Sequence, residues 1–510
     1  MSAPVNEALI RDVVAEVLGR LNRAGGTPAP STTAPPAPAP APAPAPPAAS
    51  VTPPNLVIKT AERTPLRGVF GVFQDARQAC EAAHEAYLQL SAKGVAGRQK
   101  VVQLVKDICN QNAAEWGFIE LQETKIGRLD HKIEKLKGLR AVPGVEFLAP
   151  LGFSGDHGIS LEEYAPFGVI GAVTPSTHSI PTMACNVISM AAAGNAAVFN
   201  AHPSAVKCAV MAARVLNEAI YRELGIENLA CIVEKPTLES FQAIAAHELV
   251  KLLCVTGGPG VVKAAMQTGK RAICAGPGNP PVLVDGTACL ERAAQHVVYG
   301  ASYDNNLLCI GEKEVFVLEP FFDRFMAALE KAGAVRLNDA QVERLTKAAF
   351  TIPGQGAGCG HPVLSRDLVG KDPEVLAQVA GISIPKGTQL LFAETSPDHL
   401  FVIEEQMMPF LPVVRVKTVE EGIELSKKAE RGYKHSAMIH SHDVAHMTAM
   451  AKALETTLFV KNGSCLAGLG AGGEGYPNFS IATTTGEGIC NPRTFTRVRR
   501  CVMVDKLRIF

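Results

Sequence analysis

Apolar residues first gather into a stripe near the start of the chain. Leu9, Ile10, Val13, Val14, Val17, Leu18 and Leu21 fall on i, i+3, i+4, i+7 spacing, with Glu7, Arg11, Asp12, Glu16 and Arg20 opposite. The spacing predicts an amphipathic helix over residues 5–21, about 25 Å long. So short a helix is marginal alone in water, so its stripe calls for a partner surface. Residues 27–54 then lose all periodicity in alternating Ala-Pro, which predicts a disordered, polyproline-like spacer reaching up to about 80 Å. Beyond Pro54 the pattern changes again. Helical periodicity covers residues 75–90, 97–108, 183–193 and 204–224, with a break at Lys93-Gly94. Short apolar runs at 164–173, 196–200, 252–256 and 282–284 read as buried strands. Strands alternating with helices predict an α/β fold built on βαβ units. Residues 497–509 alternate apolar and polar like an exposed edge strand, the kind that pairs with another subunit.

Composition narrows the classes. Among the 510 residues, 49 basic side chains balance 49 acidic ones, so no net field draws nucleic acid or an anionic membrane. No apolar run reaches the roughly 18 residues of a membrane span, and the charges at 11, 12 and 16 interrupt any secretory signal. Glu7, Asp12 and Glu16 also argue against a mitochondrial transit peptide, a class poor in acids. The thirteen cysteines are scattered singly, with no Cys-x-x-Cys pair, which indicates neither a zinc ribbon nor a disulfide framework. A reducing cytoplasm is the expected setting.

Three segments carry candidate chemistry. Thr256-Gly257-Gly258-Pro259-Gly260 joins a strand to a helix, a turn that lets backbone approach a pyrophosphate, although a tight turn without ligand reads the same way. Residues 275–280 (AGPGNP), with Gly276, precede the strand at 282–284. Cys309 follows the polar Asp304-Asn305-Asn306 just ahead of another strand, so the loop can present it at a cleft as a thiolate. His440, His442 and His446 invite a metal reading, but no further ligand completes a set, and the spacing is expected to turn Asp443 away from the histidine face.

Several motifs in order then carry a resemblance. Pro166-Phe167-Gly168-Val169-Ile170-Gly171, Thr174-Pro175, Ala192-Ala193-Gly194-Asn195, Thr256-Gly257-Gly258 and Glu404-Glu405 with Pro409 resemble the aldehyde dehydrogenase superfamily. Phe199-Asn200-Ala201-His202-Pro203, Gly276-Pro277-Gly278-Asn279, Asp304-Asn305-Asn306, Gly472-Gly473-Glu474-Gly475 and Thr485-Gly486-Glu487-Gly488 resemble its CoA-acylating branch from bacterial microcompartments, over roughly residues 60–510. The resemblance implies a Rossmann-like cofactor domain, an α/β catalytic domain and a β oligomerisation arm. Residues 1–23 would be a docking helix and 24–54 a linker. Residues 55–300 would bind cofactor, with part of the arm near 150–165. Residues 301–480 would carry the thiol, and 481–510 would complete the arm of a homodimer or homotetramer. The docking helix is similar to encapsulation peptides, so residues 5–21 would meet a shell or other cargo in a microcompartment lumen of a bacterial cytoplasm.

The resemblance also implies a mechanism. Cys309 would attack an aldehyde such as propionaldehyde, lactaldehyde or acetaldehyde, and hydride would pass to NAD or NADP. Thr174, Pro175, His202, Pro203, Thr256, Gly257, Gly258, Gly276 and Glu405 fall where that cofactor is held. Hydrolytic relatives place a general-base glutamate just before the glycine pair, where this chain reads Ile273-Cys274-Ala275-Gly276-Pro277. Without a base, attack by water loses roughly 10²–10⁴-fold, which favours coenzyme A as acyl acceptor. The second oxyanion donor falls to His178, Thr174 or Ser176, with His178 about where asparagine often lies. A hydrolytic aldehyde dehydrogenase, a histidinol dehydrogenase and a catalytically idle cargo protein are the competing readings.

Removing residues 1–22 is expected to leave activity in solution intact and to abolish co-purification with a shell. Lost folding or lost activity would show instead that this helix belongs to the catalytic body.

Overall fold

The computed structural model describes residues 70–351 and 362–505. The expected helix at 5–21 and spacer at 24–54 lie outside them, as do residues 506–510.

The first sheet has six parallel strands: β1 (Val72–Phe73), β4 (Val169–Thr174), β5 (Ala196–Ala201), β6 (Ala230–Val233), β7 (Val250–Thr256) and β8 (Ala272–Ala275). Their spatial order is β1-β6-β5-β4-β7-β8. Strands β5 and β6 are buried throughout, which explains their unbroken apolar runs, since a parallel sheet is covered on both faces. Helices α1 (Ala76–Ala92), α2 (Gly94–Gln111), α3 (Ala113–Thr124), α4 (Leu129–Gly138), α5 (Ser179–Ala192) and α6 (Val206–Leu224) pack on it or on one another. Asp75 caps α1 by accepting from the Arg77 and Gln78 amides at 2.7 and 2.9 Å, and the expected break before α2 is the single residue Lys93. From β4 the chain first winds outward through β5 and β6, then returns to β7 on the other side. Carboxyl ends of strands at such a reversal are where open α/β sheets bind ligands.

The arm is antiparallel, ordered β2 (Leu151–Gly155), β3 (Gly158–Pro166), β20 (Thr496–Val504). The apolar run at 164–173, expected to be one strand, is therefore two. The arm's β3 ends at Pro166, the chain turns through Phe167-Gly168 with Gly168 at φ +116°, and β4 begins in the first sheet at Val169. Buried Asn195 pins that turn. Its Oδ1 accepts from the Phe167 and Gly168 amides at 2.7 and 3.0 Å, and its Nδ2 donates to the Phe495 carbonyl at 2.9 Å. One side-chain amide thus ties the end of β3 to the start of β20 at the base of the arm.

The second sheet is all parallel and seven-stranded. Its members are β9 (Pro281–Val284), β10 (Glu314–Leu318), β11 (Val335–Arg336), β14 (Leu391–Glu394), β15 (Phe410–Val416), β16 (Ser436–His440) and β17 (Leu458–Lys461). They run in the order β11-β14-β15-β10-β9-β16-β17. A short ribbon, β12 (Phe350–Thr351) with β13 (Val363–Leu364), flanks it. The chain thus passes between the sheets at residues 276–280, not at 300, because β9 finds its partners in β10 and β16. Residues 481–495 are not part of the arm either. They hold β18 (Ile481–Ala482) and β19 (Gly488–Ile489), with Ile481 in the core of the second sheet and Ala482, Cys490 and Phe495 in that of the first. Asp443 does not turn away from His446. It caps the helix Val444–Leu454, and its carboxylate lies 3.9 Å from His446 Nε2, while His446 Nδ1 meets Asp285 at 2.7 Å. Among the described residues no helix is long and apolar enough to cross a membrane.

Replacing Asn195 by alanine would strand two amides and a carbonyl in a buried turn. The expected loss is about 3 kcal/mol of unfolding free energy, read by urea denaturation.

Candidate active site

Two sheet edges form the site. The carboxyl edge of the first sheet supplies Thr174, Thr256 and Gly276 at the ends of β4, β7 and β8, with His202 just past β5. The amino edge of the second supplies the residues ahead of β9, β10, β15 and β16: Gly278, Cys309, Glu405 and His435. Thr174 is buried with its hydroxyl unbonded among the described residues, and its carbonyl accepts from the His202 amide at 3.0 Å. His202 and Pro203 are exposed, and His202 Nδ1 lies 2.8 Å from Ser204 Oγ. Thr256 Oγ1 meets Ser480 Oγ at 2.9 Å, and the Gly257 amide donates to the Ala275 carbonyl at 3.1 Å. Gly258 is the exposed N-cap of the helix Pro259–Met266.

The loop ahead of Cys309 is backbone that few side chains tolerate. Asp304, Asn305 and Asn306 stand at φ 50°, 55° and 61°, three left-handed residues in succession. Each is held from outside. Asp304 accepts from the Arg128 amide at 2.8 Å and from Lys135 Nζ on α4, and its own amide donates to His131 Nδ1 at 2.8 Å. Burial keeps His131 neutral enough to accept. Asn305 Nδ2 reaches the Gly370 carbonyl at 3.0 Å and Asp372 at 2.8 Å. Asn306 Nδ2 reaches the Glu312 carbonyl at 2.9 Å.

Among the described cysteines only Cys289, Cys309 and Cys501 are not buried. Burial of the Cys309 thiol, and after it the Glu405 carboxyl, push its pKa up to about 12, while Lys313 and the backbone amides of Cys309 and Ile310 pull it back. Gly278 is the hinge of the site. A Cβ there would stand 2.5 Å from the Cys309 carbonyl oxygen and 2.8 Å from the His435 ring, so only glycine fits. Its amide donates to Glu405 at 3.4 Å. Burial pushes Glu405 up and, with Lys313, holds His435 at about 3, so His435 stays neutral with Nε2 unbonded among the described residues.

His178 sits just ahead of α5, buried and 5.4 Å from the Phe479 ring. Burial, then Lys135 and Lys132, hold its pKa well below the usual value, and its Nδ1 has no partner among the described residues. A buried charge cluster stands beside it. Lys132 pairs with Glu120 at 2.9 Å and reaches the Thr177 carbonyl at 3.4 Å, and Glu120 accepts from the Ile180 amide at 2.9 Å. Lys135 pairs with Asp304. Helices α3 and α4 thereby grip the His178 loop and the Cys309 loop together.

At the place of the absent base, Cys274 lies buried in β8 with its thiol pushed by burial to about 11. Its amide donates to Thr485 Oγ1 at 2.9 Å, and Thr484 Oγ1 stands 2.8 Å from where a Cβ on Gly276 would be. Residues 479–485 thus run along the first sheet's carboxyl edge, past His178, Thr256 and Gly276. The motifs did not reveal Phe479, Ser480, Lys313, Lys135 or His435 as site residues.

The chain matches the aldehyde dehydrogenase family over residues 71–350. It is 45% identical over 442 residues to an acetaldehyde dehydrogenase (acetylating), EutE, of Salmonella typhimurium, which spans 86% of this chain and 93% of that protein. A Rhodopseudomonas palustris propionaldehyde dehydrogenase structure with bound CoA and an acylated cysteine superposes with a TM-score of 0.82 at 43% identity, covering 85% of this chain and 98% of that one. A propionaldehyde dehydrogenase from a Clostridium phytofermentans fucose utilisation bacterial microcompartment gives 0.83 at 41% identity, covering 86% and 100%.

Replacing Lys135 by methionine leaves the Asp304 carboxylate buried without its cation. The expected cost is about 3–5 kcal/mol of stability. Slower alkylation of Cys309, read by mass spectrometry of its peptide, is expected alongside.

Proposed function

The chain belongs to the aldehyde dehydrogenase family, and from that premise we propose that it oxidises a short aliphatic aldehyde with CoA and NAD(P)+ to acyl-CoA and NAD(P)H. Cys309 is the nucleophile. Its thiol gives up a proton to water, its sulfur adds to the aldehyde carbonyl, and the Cys309 backbone amide would donate to the alkoxide that forms. His178 is the proposed second donor: a neutral imidazole with one nitrogen unbonded can offer a proton without itself being charged.

The residues on the first sheet's edge suit a dinucleotide. The reversal of strand order between β4 and β7, the orphaned Thr174 hydroxyl and the open helix N-terminus at Gly258 are what a pyrophosphate and ribose require. Thr174, Pro175, His202, Pro203, Thr256, Gly257, Gly258 and Gly276 would hold it, with Glu405 on the nicotinamide ribose. A nicotinamide held there would supply the hydride acceptor by which the adduct on Cys309 becomes a thioester.

One observation carries the acylating outcome. At the base position itself Cys274 is a buried thiol raised to about 11, Thr484 crowds Gly276, and the Glu487 carboxylate nearby accepts from the Thr485 hydroxyl, so residues 273–277 hold no general base for water. The CoA thiol, a better nucleophile near neutral pH, displaces Cys309 and carries off the acyl group. The partners follow from surface chemistry. Leu151, Phe153, Val498, Val502 and Val504 are exposed on the arm, and β20 has β3 on one side alone among the described strands. A second copy of this chain covers that arm, giving a homodimer or homotetramer. The stripe at residues 5–21 carries the enzyme to a shell or another cargo protein in a microcompartment lumen.

NADH formation from propionaldehyde is expected to fall by at least roughly 10²-fold when CoA is left out. Cys309→Ala should abolish it. Equal rates with and without CoA would defeat the acylating reading, and activity surviving in Cys309→Ala would defeat the choice of nucleophile.

A further inference from the structure

Between the nucleophile and β10 the chain carries Glu312-Lys313-Glu314, and all three are fully buried. Lys313 turns back toward the loop that precedes Cys309. Its Nζ donates to the Asn306 carbonyl at 2.7 Å and to Asn306 Oδ1, closing a ring with the Asn306-to-Glu312 bond. The entries to both strands that flank β10 fix the lysine backbone: its amide donates to the Pro280 carbonyl at 3.1 Å, and its carbonyl accepts from Gln406 Nε2 at 3.5 Å.

Three carboxyls share the surroundings of this amine, and burial raises each of them. Burial drives Glu314 well above the usual range with neither oxygen bonded among the described residues. It also raises Glu312 to about 7, and that carboxyl accepts from the Cys465 amide at 2.9 Å. Glu405 is likewise raised. Lys313 in turn draws down the Cys309 thiol and, after burial, the His435 imidazole. Burial draws Lys313 itself down, opposed by Glu405, Cys309, Cys465 and Glu314.

We propose that Lys313 is the positioning residue of the nucleophile: it locks the Asn306 turn that presents Cys309 and supplies the counter-charge for the thiolate. The proposal rests on Cys309 being the nucleophile, but its test needs neither aldehyde nor CoA. Iodoacetamide alkylation of Cys309 is followed by mass spectrometry between about pH 6.5 and 9.5 in wild type, Lys313→Gln and Lys313→Arg. Lys313→Gln keeps a donor for Asn306 without the charge. Removing a cation beside a thiol raises its pKa, so the Gln curve should be displaced about one pH unit upward, alkylating roughly tenfold slower at each pH. Lys313→Arg, which keeps the charge, should stay within about threefold of wild type. A Gln curve that overlies wild type overturns the proposal, as does an Arg curve displaced as far as the Gln one. If Lys313→Gln does not fold, Asn306→Asp sets a carboxylate against the ammonium and should displace the curve the same way. An unmoved curve there overturns the proposal too. Failure of the acylating reading would show separately, as CoA-independent turnover by wild type.

Discussion

Asp304, Asn305 and Asn306 occupy the left-handed region in succession, each at a cost of about 1–2 kcal/mol. Local interaction holds only the last of the three, so the turn exists because two distant parts of the molecule and the residues just after Cys309 hold it together. Helix α4 and the backbone at Arg128 take Asp304, the Gly370 to Asp372 segment takes Asn305, and the residues leading into β10 take Asn306. Strain of this kind persists only where the surroundings over-determine it, and it collects at functional sites. Here it sets the partly exposed Cys309 against Gly278.

The same grip reaches across the cleft. Helices α3 and α4 bring a buried quartet of charges, Glu120, Lys132, Lys135 and Asp304, whose members hold the His178 loop on one side and the Cys309 loop on the other. Buried ion pairs are a poor source of net stability, because desolvation offsets most of the attraction. Their value here is geometric: the carboxyl edge of one parallel sheet is held against the amino edge of another. In the proposed reaction, residues on the first edge would hold the dinucleotide and residues on the second would do the covalent chemistry, so the site needs both edges.

Much of this organisation was legible in the chain. The alternating α/β pattern, the glycine turn at Thr256-Gly257-Gly258 and the break at Lys93 follow from local physics, since propensity and periodicity act within a few residues. Cys309 and Glu405 stand together at the second edge. The division of residues 164–173 between arm and first sheet was not legible, because an apolar run does not say which sheet receives it. Asn195, 28 residues away, decides that. The boundary at 276–280 was hidden for a similar reason, since β9 is assigned by partners in β10 and β16.

What the sequence determined by itself is the inventory: an α/β chain, a cysteine in a polar loop ahead of a strand, glycine turns at strand ends, and no acid at residues 273–277. Tertiary structure alone decided which charges face the thiol. Lys313 and His435 are separated by more than a hundred residues, and Phe479 and His178 by about three hundred. Their encounters depend on how two sheets meet. Burial then sets the protonation of each group, because desolvation depends on the surrounding fold and leaves no trace in local pattern.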